Sequence, residues 1–163
     1  MFVTSFIDDK KVFILINTLR FMKNIKKFIM IFVIAFALNA IWELLHYQLY
    51  YDLSGISKYP HLLLATFTDA IIITIIFLVI SFKNKDKNLN WIKKIKKFDY
   101  LLIIISALEV AIFIELKALG VGRWAYTTAM PTIFGIGLSP LLQLAITGTI
   151  TLLIMKLFLI KYK

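Results

Sequence analysis

Residues 28–52 read "FIMIFVIAFALNAIWELLHYQLYYD", and how they are read decides the fold. The first half is apolar on every side. The second half sets Asn39, Trp42, Glu43, His46 and Tyr50 at i, i+3, i+4, i+7 and i+11, which is one stripe of a helix. About 20 apolar residues rising 1.5 Å each cover a hydrocarbon core of about 30 Å. The segment is therefore a transmembrane helix whose later part carries a polar stripe.

Composition supports the same class. Of 163 residues, 61% are hydrophobic, and the mean hydropathy is +0.87. Soluble domains sit at about 45–50% apolar, and a chain this short cannot bury that surplus unless lipid is its solvent. Cysteine is absent, which excludes disulfides, thiolate metal sites and a thiol nucleophile. The net charge of +10 reads as lysine-rich loops on one side of a membrane, and no nucleic-acid partner is expected.

Three further spans follow the first (28–49): 61–82, 100–119 and 140–160. The last has Ser139 as an expected N-cap and Pro140 at the first helical position. The expected fold is an all-α, integral membrane four-helix bundle over residues 28–163, preceded by a basic segment, 1–27. Within that segment, residues 1–21 read as an interfacial helix, or as lying before a start at Met22. Lysine and arginine set the direction. Sixteen fall before the first span, between the second and third, or in the tail, and three (Lys58, Lys117, Arg123) fall on the other side. Both termini should be cytoplasmic, with the protein multi-pass in the inner (cytoplasmic) cell membrane. The stretch "KNKDKNLNWIKKIKKF", residues 83–98, reads as a solvated inner loop or a short amphipathic helix on anionic lipid.

With that direction, the strongly polar residues inside the spans are central or outer. A mid-span carboxylate costs about 2.5–3.5 kcal/mol on insertion scales, so the acids should converge. The expected site is an outward-facing cavity lined by Asn39, Glu43, His46, Asp69, Glu109 and Gln143. Its rim would be aromatic: Tyr47, Tyr50, Tyr51, Tyr59, Trp124 and Tyr126. Glu109 and Glu115 differ by about 120° around a helix. Glu109 is expected in the bundle and Glu115 at the mouth beside Lys117 or Arg123. The breakers in "MPTIFGIGLSP", residues 130–140, suggest an ordered, partly re-entrant loop that lids the cavity.

Three chemistries compete for this cluster. Glu43-x-x-His46 has the spacing of di-iron bundles, but those need a second such pair, and the chain has two histidines in all. No metal and no cofactor are expected. Acid–base work on a lipid-like molecule is the leading reading, with Glu43, His46, Asp69 and Glu109 as catalytic residues. Asn39, Trp42, Tyr50, Trp124, Tyr126 and Gln143 would bind the substrate. A small proton-coupled transporter acting as a homodimer is the alternative, and a structural membrane subunit with a satisfied polar network is the third. The expected partners are membrane lipids and, in the transporter reading, a second copy.

The stretch "ELKALGVGRWAYTTAMPTIFGIGLSPLLQL", residues 115–144, together with Trp42-Glu43-x-x-His46 and Asp69, resembles small multi-pass bacterial membrane proteins of unknown function. Gly122-Arg123-Trp124-Ala125-Tyr126 ahead of Ser139-Pro140 is also similar to carotenoid-modifying enzymes of the lycopene cyclase type. That likeness covers under a quarter of the chain and implies an isoprenoid substrate. The family's glutamates after the proline are replaced here by Leu141, Leu142 and Gln143.

The charge asymmetry makes a direct prediction. A reporter fused after Lys163 should be active only on the cytoplasmic side; activity confined to the outer side would contradict the direction.

Overall fold

A computed structural model describes the backbone of residues 9–86 and 88–161, with side chains from residue 24 onward. The expectation for residues 1–21 therefore falls outside what is described, except that helix is already present from Asp9. Four long helices dominate: α1 (Asp9–His46), α2 (Lys58–Lys83), α3 (Lys97–Gly120) and α4 (Leu138–Lys161). Two short ribbons join them at one end. β1 (Tyr50–Asp52) follows α1 through a 3-10 turn, β2 (Trp124–Tyr126) follows α3, and β3 (Thr132–Ile133) and β4 (Ile136–Gly137) lead into α4.

Three segments are long and apolar enough to cross a membrane: Asn24–Leu49, Lys58–Lys83 and Leu138–Lys161. Helix α3 matches α4 in length but carries Asp99, Glu109, Glu115 and Lys117 along it. The helices pack chiefly as two pairs, α1 on α2 and α3 on α4, joined through α1 and α4; the α2–α3 seam is sparser. Pairing of β1 with β2, Tyr50 opposite Tyr126 and Asp52 opposite Trp124, brings the ends of α1 and α3 together.

The middle of the bundle is a solid apolar block. Ile73, Phe77, Ile103, Leu152 and Met155 are all at most 1% exposed. Small residues line the helix contacts: Gly148 lies beside Ile103, where a Cβ would be in ordinary contact at 3.6 Å, and Ala107, Ala111 and Ala118 of α3 are all buried.

The lysine-rich end is knitted by polar contacts. Asp99, at the start of α3, accepts from its own Lys96 backbone N–H at 3.0 Å, from Lys83 at 2.9 Å and from Asn84 at 3.0 Å. The last two lie at the end of α2, so one carboxylate both caps α3 and holds the turn before it. The described residues of 83–98 do not form a loose, fully solvated loop. A 3-10 turn, Asn90–Lys94, drives Trp91 and Ile92 into the interior. The Trp91 indole N–H donates to Ser81 at 2.8 Å, and the turn is anchored where its backbone N–H meets Asp86 at 2.6 Å. The buried pair Trp91 and Ile92 stabilises this arrangement more than water can stabilise the extended loop.

At the other end, the segment before α4 is an ordered loop in the form of a hairpin, β3 against β4. Phe134 and Gly135 turn it, both with positive φ (51° and 81°), as a tight hairpin turn demands. Phe134 stands fully exposed at the tip. Ser139 does not serve as the expected N-cap: α4 begins at Leu138, and the Ser139 hydroxyl goes to a residue of α1 instead.

Candidate functional site

The site lies at the ribbon end, beyond the apolar block. Its centre is Gln143, one turn and a half into α4 and 6% exposed. The amide Nε2 donates to Asp69 Oδ2 at 2.7 Å, to Glu43 Oε1 at 2.8 Å and to Asn39 Oδ1 at 3.2 Å. A primary amide has two hydrogens, so three acceptors share two donors and the two short contacts, to the carboxyls, take the larger part. Asn39 is fully buried. Its own amide donates to the Ala35 carbonyl at 2.9 Å, and its oxygen also lies 3.2 Å from the Thr147 hydroxyl. Side chains of α1, α2 and α4 thus meet at one depth.

Above this cluster is a cavity of about 260 Å³ bounded by Glu43, Asp69 and Gln143, with Glu115 and Ala111 of α3 on the far wall and Tyr50, Trp124 and Arg123 over it. Leu64 and Thr68 of α2 also border it, and both are exposed on the outside of the bundle. The cavity therefore reaches the surface through the sparse α2–α3 seam.

The ribbon β1–β2 is its cover. Glu115, 4% exposed, accepts from the Trp124 indole N–H at 3.2 Å and from the Tyr126 hydroxyl. Burial, then the adjacent Glu115 carboxyl, push the Tyr126 phenol above its ordinary range, so it stays a donor. Tyr50 stands edge-on to Trp124, 6.2 Å between centroids. A Cβ on Gly137 would stand 3.0 Å from the Tyr126 ring, so a larger residue there would have to push the ring aside. At the mouth, Asp52 pairs with His61 and accepts from the Ser54 backbone at 2.9 Å and the Ser54 hydroxyl at 2.6 Å. This clasp ties β1 to the start of α2.

The residues expected from sequence divide cleanly. Glu43, Asp69, Gln143, Tyr50 and Trp124 border the cavity, and Asn39 lies buried behind it. His46 is turned away: its Nδ1 shares a hydrogen bond with the Ser139 hydroxyl at 2.5 Å. Trp42 does not reach the cavity either; it stacks on His46 with 4.6 Å between centroids. Tyr126 acts through Glu115. The assignment of the two α3 acids is reversed. Glu109 is exposed on the outer face of α3 and has no hydrogen-bond or ion-pair partner among the described residues, whereas Glu115 is buried in the site. The alanines decide this: Ala107, Ala111 and Ala118 mark the packed face, and Glu115 stands four positions after Ala111. The hairpin at 131–137 does not lid the cavity; β1 and β2 do.

Asp52, which carries the mouth with His61, is not marked by helical phase or depth, whereas the position of His61 at the outer end of the second apolar run reads as interfacial. The local signal was "DLS", an aspartate two residues before a serine at a helix approach, which favours a side-chain-to-backbone turn. Among the described residues no three His, Asp or Glu groups are arranged to hold a metal ion. Compared with known protein families, curated proteins and solved structures, the chain matches none.

The clasp has a pH signature. Burial alone would raise the Asp52 carboxyl, but hydrogen bonds from Ser54 and His61 outweigh it and hold it at about 2, below its ordinary 3.8. Folding then favours the ionised form, so its stabilisation is complete above the unfolded value and is lost as the pH falls through the folded one. Thermal unfolding of wild type and Asp52→Asn should differ above a pH of about 4 and converge as the pH approaches about 2. A gap that stays constant over that window would contradict the clasp.

Proposed function

We propose that the protein is a membrane-embedded enzyme or binder of a lipid-like substrate, with Glu43 and Asp69 as its acid–base pair. In this reading all four helices span the inner membrane, both termini are cytoplasmic and the cavity opens outward. The observation that carries the proposal is the single Gln143 amide joined to both carboxyls on the wall of a cavity that reaches the bundle surface at Leu64 and Thr68.

The chemistry follows from that pairing. Two carboxyls at one site titrate as a coupled pair, so one can carry a proton while the other is ionised. The protonated member gives its proton to a carbon–carbon double bond of the substrate. The positive charge that develops lies against the rings of Tyr50 and Trp124 and the remaining carboxylates, which stabilise it. The ionised member then removes a proton from the neighbouring carbon, completing an isomerisation or cyclisation, or takes one from water, completing a hydration. Gln143 positions both acids. Glu115, fixed by Trp124 and Tyr126, faces the substrate from α3. A membrane-dissolved molecule enters sideways between α2 and α3, leaving its apolar part in lipid. An isoprenoid substrate is the form suggested by the likeness of residues 122–140 to cyclase-type enzymes. Transport across the membrane is disfavoured, because Ile73, Phe77, Ile103 and Leu152 close the bundle below the site.

The test is the set of lipids held by the protein after extraction from membranes, read by mass spectrometry together with turnover of those lipids. Glu43→Gln and Asp69→Asn should fold and retain the ligand but lower turnover by about 10²–10⁴-fold. His46→Ala should affect stability more than turnover. If all three variants carry and convert the same lipids as wild type, the site assignment is wrong.

A further inference from the structure

The acid left out of the site has a surface of its own. On α3, Phe98, Leu102, Ile105, Glu109, Ile112 and Leu116 are spaced four, three, four, three and four residues apart. That is an unbroken heptad seam, and it lies on the side of the helix away from Ala107, Ala111 and Glu115. Phe98, Ile105, Ile112 and Leu116 are 54%, 41%, 38% and 56% exposed. Glu109 sits near the middle of α3, twelve residues after Lys97 and eleven before Gly120.

We propose that this face is a homodimer seam, packed in parallel register against the same face of a second copy. This rests on the proposed reading in which α3 spans the membrane: facing lipid alone, a mid-helix carboxyl is expensive, and the partner that relieves it must bring a polar group to the same depth. Two copies in one membrane with the same orientation are related by a two-fold axis along the helices. At the centre of such a seam each residue meets its own counterpart, so Glu109 meets the Glu109 of the second copy and each side chain gives the other a polar neighbour at the same depth. No other exposed face of the described chain offers an equivalent group. Thr68 is exposed at a comparable depth on α2, but its hydroxyl is already given to the Leu64 carbonyl at 2.8 Å. The 3.5-residue repeat lets the apolar neighbours interdigitate above and below, and one polar position in such a seam sets register and partner number. The dimer leaves the cavity free, since α3 presents Glu115 from its opposite side, and it is independent of the site chemistry.

The chain has no cysteine, so single introduced thiols report cleanly. Ile105→Cys and Ile112→Cys, oxidised in native membranes, should form disulfide-linked dimers, because seam positions bring Cα atoms within bridging range. Leu63→Cys and Leu157→Cys, exposed at 60% and 69% on other helices, should not. In vesicles diluted with lipid, Glu109→Leu should weaken self-association by about three- to thirtyfold while Glu109→Gln largely preserves it. Mass measurement of the wild type in nanodiscs should give two copies. A monomer, cross-linking equally strong at all four positions, capture of a different protein at the seam, or undiminished association of Glu109→Leu would each overturn the proposal.

Discussion

The Gln143 amide holds three helices at one depth, and the ribbon end of the molecule is arranged around that fact. Its two hydrogens serve Asp69 of α2, Glu43 of α1 and, more distantly, Asn39 of α1. Removing any one partner leaves a buried polar group short of a hydrogen bond, at about 1–3 kcal/mol, and more when the group is charged. The cluster forms where the helices pack closely enough to bury it, and Thr147 and Asn39 supply the layer that separates it from the apolar block beneath.

That separation shapes what the site can do. Below the cluster the helices touch through Ile73, Phe77, Ile103 and Leu152. Above it they part, and polypeptide from the connections fills in: Tyr50 and Asp52 from β1, Arg123 and Trp124 from β2. The cover is held at two points, Glu115 under Trp124 and Tyr126, and Asp52 against His61. Beside the α2–α3 seam, sparser than the α1–α2 and α3–α4 pairs, Leu64 and Thr68 border both the cavity and the surface. The result is a chamber with Glu43, Asp69 and Gln143 on one wall, closed toward one end of the bundle and bordered at its side by apolar surface.

Much of this was legible in the residues. Long apolar runs gave α2, α3 and α4 within a few residues of their observed bounds, whereas α1 begins at Asp9, well before the apolar run at 28; the stripe from Asn39 to Tyr50 pointed to Glu43. Asp69 and Gln143 followed from depth. What periodicity could not decide was which way α3 turns. Glu109 and Glu115 lie about 120° apart, so depth favoured one and packing chose the other; the small residues Ala107, Ala111 and Ala118 held the answer, since close helix contact selects them. The stripe on α1 misled in the opposite sense. It is wide enough for Trp42 and His46 to share a face with Glu43 and still point past the cavity, toward Ser139. The role of residues 83–98 was hidden because Trp91 and Ile92 are scattered among lysines, and only the interior space they fill explains their position. The tight cover could not be read at all, as three-residue strands leave no periodic trace.

The most direct measurement is a structure of the protein determined in lipid. Elongated density should enter between α2 and α3 past Leu64 and Thr68 and end within hydrogen-bonding reach of Glu43 and Asp69. A chamber holding only water, joined to the lysine-rich end by a continuous path of ordered water past Ile73 and Phe77, would contradict it.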